Sequence, residues 1–403
     1  MNHSSAKLPQ FLILGLIFFS VVTDLFADEL DVINLFAGRS EIIDSNLFRL
    51  PGDVDPFPLV GGHERSDRIA DSYAGIVIEK PIGLQKLHFD SLYSSYSYQN
   101  FSYLNANTSA YLAKWQWSIS PELIGTLSDE KKQIPLGFMN TQTYSAQNIV
   151  TSENRIFHAD WSPLGNWHML STLTDATWLN SQLYSQYASS ESKTVEEAIQ
   201  YVYPSGTSLE VLHRKTRGII SNATPDFVYE VNSNFAQEDT QFVLVWPING
   251  KSLVNAMVGY EKRNVDLFPD RDYAGQIGSF SYTNELTGKF LITASASRSF
   301  VGYQDIYSSY YVSTDESIQA KWAPLSKTVA ILHYDTTKND FYGQITPSVR
   351  RDDRTRATTF ELDWKPDKWV WLIEKTIWQK RDSSYANWVF ADTTSSLTLQ
   401  LNF

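Results

Sequence analysis

The chain contains no cysteine among its 403 residues, which excludes structural disulfides and attachment to a membrane as a lipoprotein. Charged residues are scarce, at 19%, and their formal balance of −12 argues against nucleic acid or anionic lipid binding through a general positive field while leaving other partners open. A glycine-rich phosphate loop, zinc-type ligand spacing and a nucleophile elbow are all missing, so no enzyme and no cofactor or metal is implied. Beyond residue 27, no apolar run approaches the ~18 residues of a spanning helix. The one apolar run, FLILGLIFFSVV (11–22), follows Lys7 and reaches DLFA before DEL. It is shorter than the ~20 residues of a membrane span and reads as a secretory signal peptide over 1–27, cleaved after Ala27. Residues 28–403 then form a single exported domain.

What the chain has in abundance is aromatic residues, with 22 Tyr, 22 Phe and 12 Trp. Several precede prolines that recur almost evenly: Pro81, Pro121, Pro163, Pro204, Pro247, Pro324 and Pro366. The single double-length gap contains TNELTGK (283–289), a proline-free turn, which makes eight turns at a period near 40. Between the turns, apolar and polar residues alternate with the period of two that marks half-buried strands. In YLAKWQWSI, Tyr111, Ala113, Trp115, Trp117 and Ile119 take one face, and Leu112, Lys114, Gln116 and Ser118 the other. ESIQAKW and TFELDW repeat the pattern, whereas QFVLVW (241–246) carries apolar residues on both faces and WVWLIEKTIWQK (369–380) assigns to neither.

Two strands of about 10 to 12 residues, one short turn and one longer connection per period describe an all-β transmembrane outer-membrane β-barrel, with turns in the periplasm and loops outside. A propeller shares the period but needs four strands in each repeat. Eight hairpins, a C-terminal strand and a first strand near 32–43 give 18 antiparallel strands, with 16 the alternative; 18 is wide enough for an aqueous channel. Longer connections are expected near 219–236 and 338–352. Trp117, Trp161, Tyr203, Trp246, Trp322 and Trp364 lie just before the turns on the apolar face, where a ring of amphipathic aromatics suits the membrane interface. The final strand SSLTLQLNF places Leu397, Leu399, Leu401 and terminal Phe403 on one face, and Leu399, Leu401 and Phe403 read as a barrel-insertion signal.

The opposite face carries Lys114, Gln116, His158, Asp160, Glu196, Gln200, Gln319, Lys321, Glu361 and Asp363, expected to line the lumen and keep it wet. His158 with Asp160, and His333 with Asp335, could pair as base and orienting carboxylate, but neither has an evident serine in register and a polar wall produces such spacing by chance. SVRRDDRTRATT brings Arg350, Arg351, Arg354 and Arg356 to a loop or strand tip where lipopolysaccharide or an acidic sugar could dock; a solvated loop balanced by Asp352 and Asp353 is the plainer account. The tyrosines of 92–105 and 301–312 are read as an outer girdle.

DSNLFRLP (44–51) followed by RSDRI (65–69) resembles the opening of EpsL-type outer-membrane proteins encoded with exosortase and PEP-CTERM exopolysaccharide operons. The matching positions are Asp44, Asn46, Leu47, Phe48, Arg49, Leu50, Arg65, Ser66 and Asp67, with Ser45 where a second acidic residue is expected. The resemblance implies a bacterial outer-membrane barrel assisting exopolysaccharide biosynthesis or export, and supplies no catalytic residues. Its expected partners are outer-membrane lipid and lipopolysaccharide, the barrel-insertion machinery, and an exopolysaccharide with other export proteins. A general diffusion porin for small solutes is the alternative, and there the acidic balance favours cations.

Overall fold

In the computed structural model, the described residues are 32–140, 144–182, 189–221, 232–305, 308–343 and 349–403, so the signal-peptide reading of 1–27 lies outside them. Eighteen antiparallel strands form one sheet closed on itself. In chain order they are β1 (Ile33–Asp44), β2 (Asp67–Ile82), β3 (Gln85–Tyr98), β4 (Ala106–Ser120), β5 (Leu123–Pro135) and β6 (Ile149–Trp161). The wall continues with β7 (Trp167–Asn180), β8 (Ser190–Val202), β9 (Ser208–Ile220), β10 (Ser233–Asn249), β11 (Ser252–Val265) and β12 (Tyr273–Thr287). It ends with β13 (Phe290–Asp305), β14 (Ser308–Leu325), β15 (Thr328–Tyr342), β16 (Asp352–Asp367), β17 (Val370–Ser383) and β18 (Phe390–Asn402).

Closure is made by β1, which pairs with β2 on one side and β18 on the other, from Phe36 opposite Asn402 to Asp44 opposite Thr394. Terminal Phe403 adds two backbone bonds, donating its N–H to Leu35 O at 2.7 Å and accepting from Leu35 N at 3.2 Å. A closed sheet has no free edge, so strand pairing continues around the whole wall, as a bilayer interior demands. The strand near 32–43 therefore exists and sets the count at eighteen.

The turn prolines have a backbone reason. Register shifts occur beside them, between Pro247 and Asn249, Trp322 and Leu325, and Trp364 and Asp367. Proline cannot donate to a ladder and is tolerated where a bulge already interrupts it. Gly206 adopts φ 82° in the β8–β9 turn, a conformation costly for residues with a Cβ.

Strand alternation sorts the side chains. Large apolar groups such as Val211, Phe242, Val258, Phe280 and Leu332 are exposed on the outside of the wall, whereas a monomeric soluble protein rarely exposes so broad an apolar surface. The ambiguous segments are assigned by register. Phe242, Leu244 and Trp246 face out and Gln241, Val243 and Val245 in; on β17, Trp371, Ile373, Lys375, Gln379 and Arg381 face in and Leu372 and Trp378 out. Sequence patterning failed there because the inner face also carries apolar groups, including buried Trp371 and Ile373. Two connections are shorter than expected: β9 runs to Ile220 and β10 starts at Ser233, and β15 extends to Tyr342.

Candidate functional site

The inner wall is polar from the short turns upward. Lys114 stands opposite His88 and Gln116 opposite Lys86, all on one face. His158 and Asp160 share that face: His158 Nδ1 lies 2.9 Å from Thr172 Oγ1, and Asp160 takes His168 Nδ1 at 2.8 Å. Arg214 on β9 donates to Glu196 on β8 at 2.5 and 2.8 Å and lies 3.8 Å from Asp239 on β10. Gln200 donates to Glu210 at 3.0 Å, and Lys375 meets Glu361 at 3.3 Å. Gln319 stands opposite His333 and Lys321 opposite Ile331, while Asp363 is buried with one carboxylate oxygen unbonded. His333 approaches Asp335 at 3.5 Å, and Ser317 is the residue across from that aspartate. Sequence reading overlooked His88, which lies 3.0 Å from both Glu79 and Asp90. Glu79 on β2 is brought to it by register, whereas Asp90 lies two residues along β3 in a spacing that the sequence shows.

At the long-loop end, the mouth is packed from within. The connection 45–66 turns inward, and Phe48, 1% exposed, sits against Phe101, Phe138 and Tyr144 with Leu47, Leu50 and Leu104 around it. The DSNLFRLP residues build this fold-back. Asn46 donates to Leu50 O at 2.8 Å and to Ala391 O at 3.0 Å, and its Oδ1 accepts Leu50 N–H. Arg49, held at φ 55°, donates to Asp44 at 2.9 Å and faces Asp392 at 3.2 Å; burial opposes its charge, but these two carboxylates keep its pKa above the ordinary value. Asp67 accepts backbone N–H groups of Asn100 and Phe101, anchoring the β3–β4 connection.

A second element crosses the lumen. Arg381 on β17, 1% exposed, donates to Met139 O at 2.7 Å and Asn140 Oδ1 at 2.8 Å in the β5–β6 connection, a third of the way around the wall. Beside it lies Arg351, bonded to Asp353 and stacked 3.8 Å from Trp388 and 4.3 Å from Phe341. Arg351 is 2% exposed, so it does not belong to a solvated loop cluster with Arg350. The aromatic rings and Asp353 make it a core residue of the mouth. The girdle reading of the tyrosines also fails in part, because Tyr98, Tyr303 and Tyr311 are buried inside the packed mouth.

A third element is a bend. Pairing of β12 with β13 runs from Thr287 opposite Phe290 to Gly278 opposite Arg298 and stops, although β13 and β14 stay paired beyond it. Phe300, an outward position on β13, stacks on Tyr273, an inward position on β12, at 4.8 Å and 11°. The upper β13–β14 hairpin therefore leans into the barrel over β12. Gly275 permits it, since a Cβ there would lie 2.7 Å from the Phe300 ring. Between the hairpin and the wall of β6 to β12 lies a cavity of about 410 Å³, lined by Thr174, Thr194, Thr216, Glu196, Glu261, Arg263, Arg271 and Tyr273 among others. Arg271 belongs to the β11–β12 connection, where burial, with Arg263 beside it, pushes its pKa down to about 10.

Outside, Trp161, Trp246, Trp322, Trp364 and Tyr203 are exposed beside the short turns, and Trp117 lies across Gly125. Leu399 and Leu401 face out on β18. Nearer the long loops the outer face is charged. Lys338 takes Asp340 at 3.0 Å, Arg356 and Lys380 share Asp382 at 3.0 and 3.2 Å, and Lys193 stands opposite Arg217.

A closed antiparallel barrel of eighteen strands with an apolar outer belt and a polar bore is the architecture of bacterial outer-membrane porin barrels. Solved structures of that class superpose over almost their whole length. OpdK of Pseudomonas aeruginosa, solved with vanillate, matches with a TM-score of 0.52 at 9% identity, covering 92% of this chain and 99% of its own. OccAB3 of Acinetobacter baumannii gives 0.52 at 8% identity over 92% and 98%. OccK9 (OpdG) of Pseudomonas aeruginosa gives 0.50 at 10% identity over 92% and 97%. At such identity the likeness is one of fold. No protein-family model matches the chain and no curated protein matches it in sequence.

Proposed function

We propose that this chain is a passive outer-membrane channel for small hydrophilic solutes, preferring cations. The observation that carries the reading is the polar inner wall leading from the short-turn end to a ligand-sized cavity below a packed mouth. Inward carboxylates outnumber inward cations, consistent with the −12 balance of the whole chain. Planar-bilayer recording of the purified, folded barrel tests it. Stepwise currents with a cation-to-anion permeability ratio above one are expected, and a barrel that folds but never conducts would refute it.

The polysaccharide role is the second reading, supported by DSNLFRLP, whose residues Asp44, Asn46, Phe48 and Arg49 frame the fold-back at the mouth. The same packing weighs against a polymer-wide path, because Arg381 holds the β5–β6 connection across the bore. Deleting the gene and measuring secreted polysaccharide separates the two; unchanged yield removes the export role. Lipopolysaccharide is the partner we propose for the outer face near the long loops, where Lys193 and Arg217 stand opposite one another, an arrangement that favours a bridging phosphate. The insertion machinery is proposed to read the strand ending at Phe403.

A further inference from the structure

We infer that the cavity beneath the bent β13–β14 hairpin takes a short extended peptide, which pairs as an added strand with the open edge of β13. The inference rests on the channel reading and names a solute class that such a channel would hold.

Halfway up the wall β13 loses one neighbour. From Phe290 to Arg298 it lies between β12 and β14, and from Ser299 to Gly302 its ladder runs with β14 alone. Alternation shows which groups are left over. Lys289 O, just before β13, accepts the Ala323 N–H of β14 at 2.8 Å. Successive residues of a strand turn their N–H and C=O to opposite sides, so the odd-numbered residues of β13 address β14, whereas Phe300 and Gly302 address the side that β12 has left. Among the described residues nothing bonds to those groups. On β12, Arg298 Nε donates to Gln276 O at 3.3 Å and replaces one lost ladder bond. The β13 edge has no such substitute.

The cavity reaches around this edge. A strand within a closed wall shows the bore one face, yet Ser299, Val301 and Tyr303 line the cavity from the inner face of β13 and Arg298, Phe300 and Gly302 from the outer. Unpaired backbone at membrane depth is tolerated where it lines a water-filled cavity, and an open strand edge binds an extended peptide through its main chain. Phe300 and Gly302 lie ~7 Å apart along the strand, so a peptide of three residues returns a donor and an acceptor to each; a sugar has no such repeat. Met257 and Ile277 from β11 and β12, with Thr194 and Thr216 from β8 and β9, cover apolar and polar side chains. Recognition through the main chain requires no charge on the ligand, in keeping with a bore that favours cations.

The test is calorimetric titration of the folded full barrel in detergent with N-acetyl-trialanine amide and with its analogue methylated at each alanine nitrogen, with channel currents recorded from the same preparation. Gly302→Pro removes an N–H that the wall does not use; Gly302→Ala keeps it, and a Cβ there meets Arg263 Nη1 at an ordinary 3.7 Å. The parent peptide is expected to bind at least ~10-fold more tightly than the methylated one, and Gly302→Pro to weaken it about 10-fold while Gly302→Ala changes it less than about 3-fold. Heat-modifiable migration on gels establishes that the variants are folded. Equal affinity for the two peptides, or equal effects of Gly302→Pro and Gly302→Ala, overturns the inference. The rival occupant of the edge is β12 itself, since continuing the register places Ala274 opposite Gly302. In the Ala274→Cys/Gly302→Cys variant, peptide that slows disulfide formation supports the inference, and a disulfide formed in full at the same rate with and without peptide assigns the edge to β12 and overturns it. Current without edge-dependent binding leaves the channel and removes the peptide site. Edge-dependent binding without current supports the site and removes the channel.

Discussion

Val258→Arg places a charge on the outer face of β11, where the residue is 63% exposed. Its height follows from register. Trp246, in the ring beside the short turns, stands opposite Val254, and Val258 lies four residues further along β11. At about 3.3 Å per residue and a tilt near 40°, that is roughly 10 Å above the ring, close to the middle of an apolar belt about 25 Å tall. A midplane arginine on the lipid face of such a barrel costs about 2–4 kcal/mol. At about 1.4 kcal/mol per tenfold, the ratio of folded to unfolded barrel should fall roughly 30- to 700-fold. Ser281, on the neighbouring β12, points the other way, and Ser281→Arg should change stability by about 0.5 kcal/mol or less if the bore is wet. Urea titration of barrels folded into lipid vesicles, followed by tryptophan fluorescence, measures both. If Val258→Arg changes stability by less than about 0.5 kcal/mol, or Ser281→Arg costs as much, the assignment of outer and inner faces is wrong.

Arg381→Ala removes the bonds to Met139 and Asn140, and is expected to raise single-channel conductance. Its stability cost should be about 1–3 kcal/mol, at the lower end for a buried charge, because Arg351 still holds Asp353. Deleting Phe403 takes away the two backbone bonds that tie the last residue to Leu35, so a smaller heat-modifiable fraction is expected in outer-membrane extracts.

The period near 40, the alternation in ESIQAKW and TFELDW and the aromatics close before Pro163, Pro204, Pro247, Pro324 and Pro366 were enough to give the strand count and the faces of the clearly alternating strands. These signals are local, and a barrel wall is built from local hairpins. The mouth was illegible for the opposite reason. Met139 and Arg381 are separated by 242 positions, and their contact depends on barrel closure. Asp160 takes His168 across a hairpin, a pairing that depends on register and that the spacing of His158 and Asp160 does not show. Arg351 looked like part of a solvated arginine run because composition does not reveal which residues of a loop turn inward. Gly275 carried a usable signal, a glycine within a strand pattern, which often marks a close approach by another segment.

The native absence of cysteine makes the decisive measurement direct. A single cysteine at Ser281 or at Val258, treated during planar-bilayer recording with a charged, membrane-impermeant thiosulfonate, reports whether the polar face lines the conducting path. The predicted result is a stepwise fall in current for Ser281→Cys and no change for Val258→Cys. Currents that respond at Val258 and ignore Ser281 would contradict a water-filled bore inside this wall.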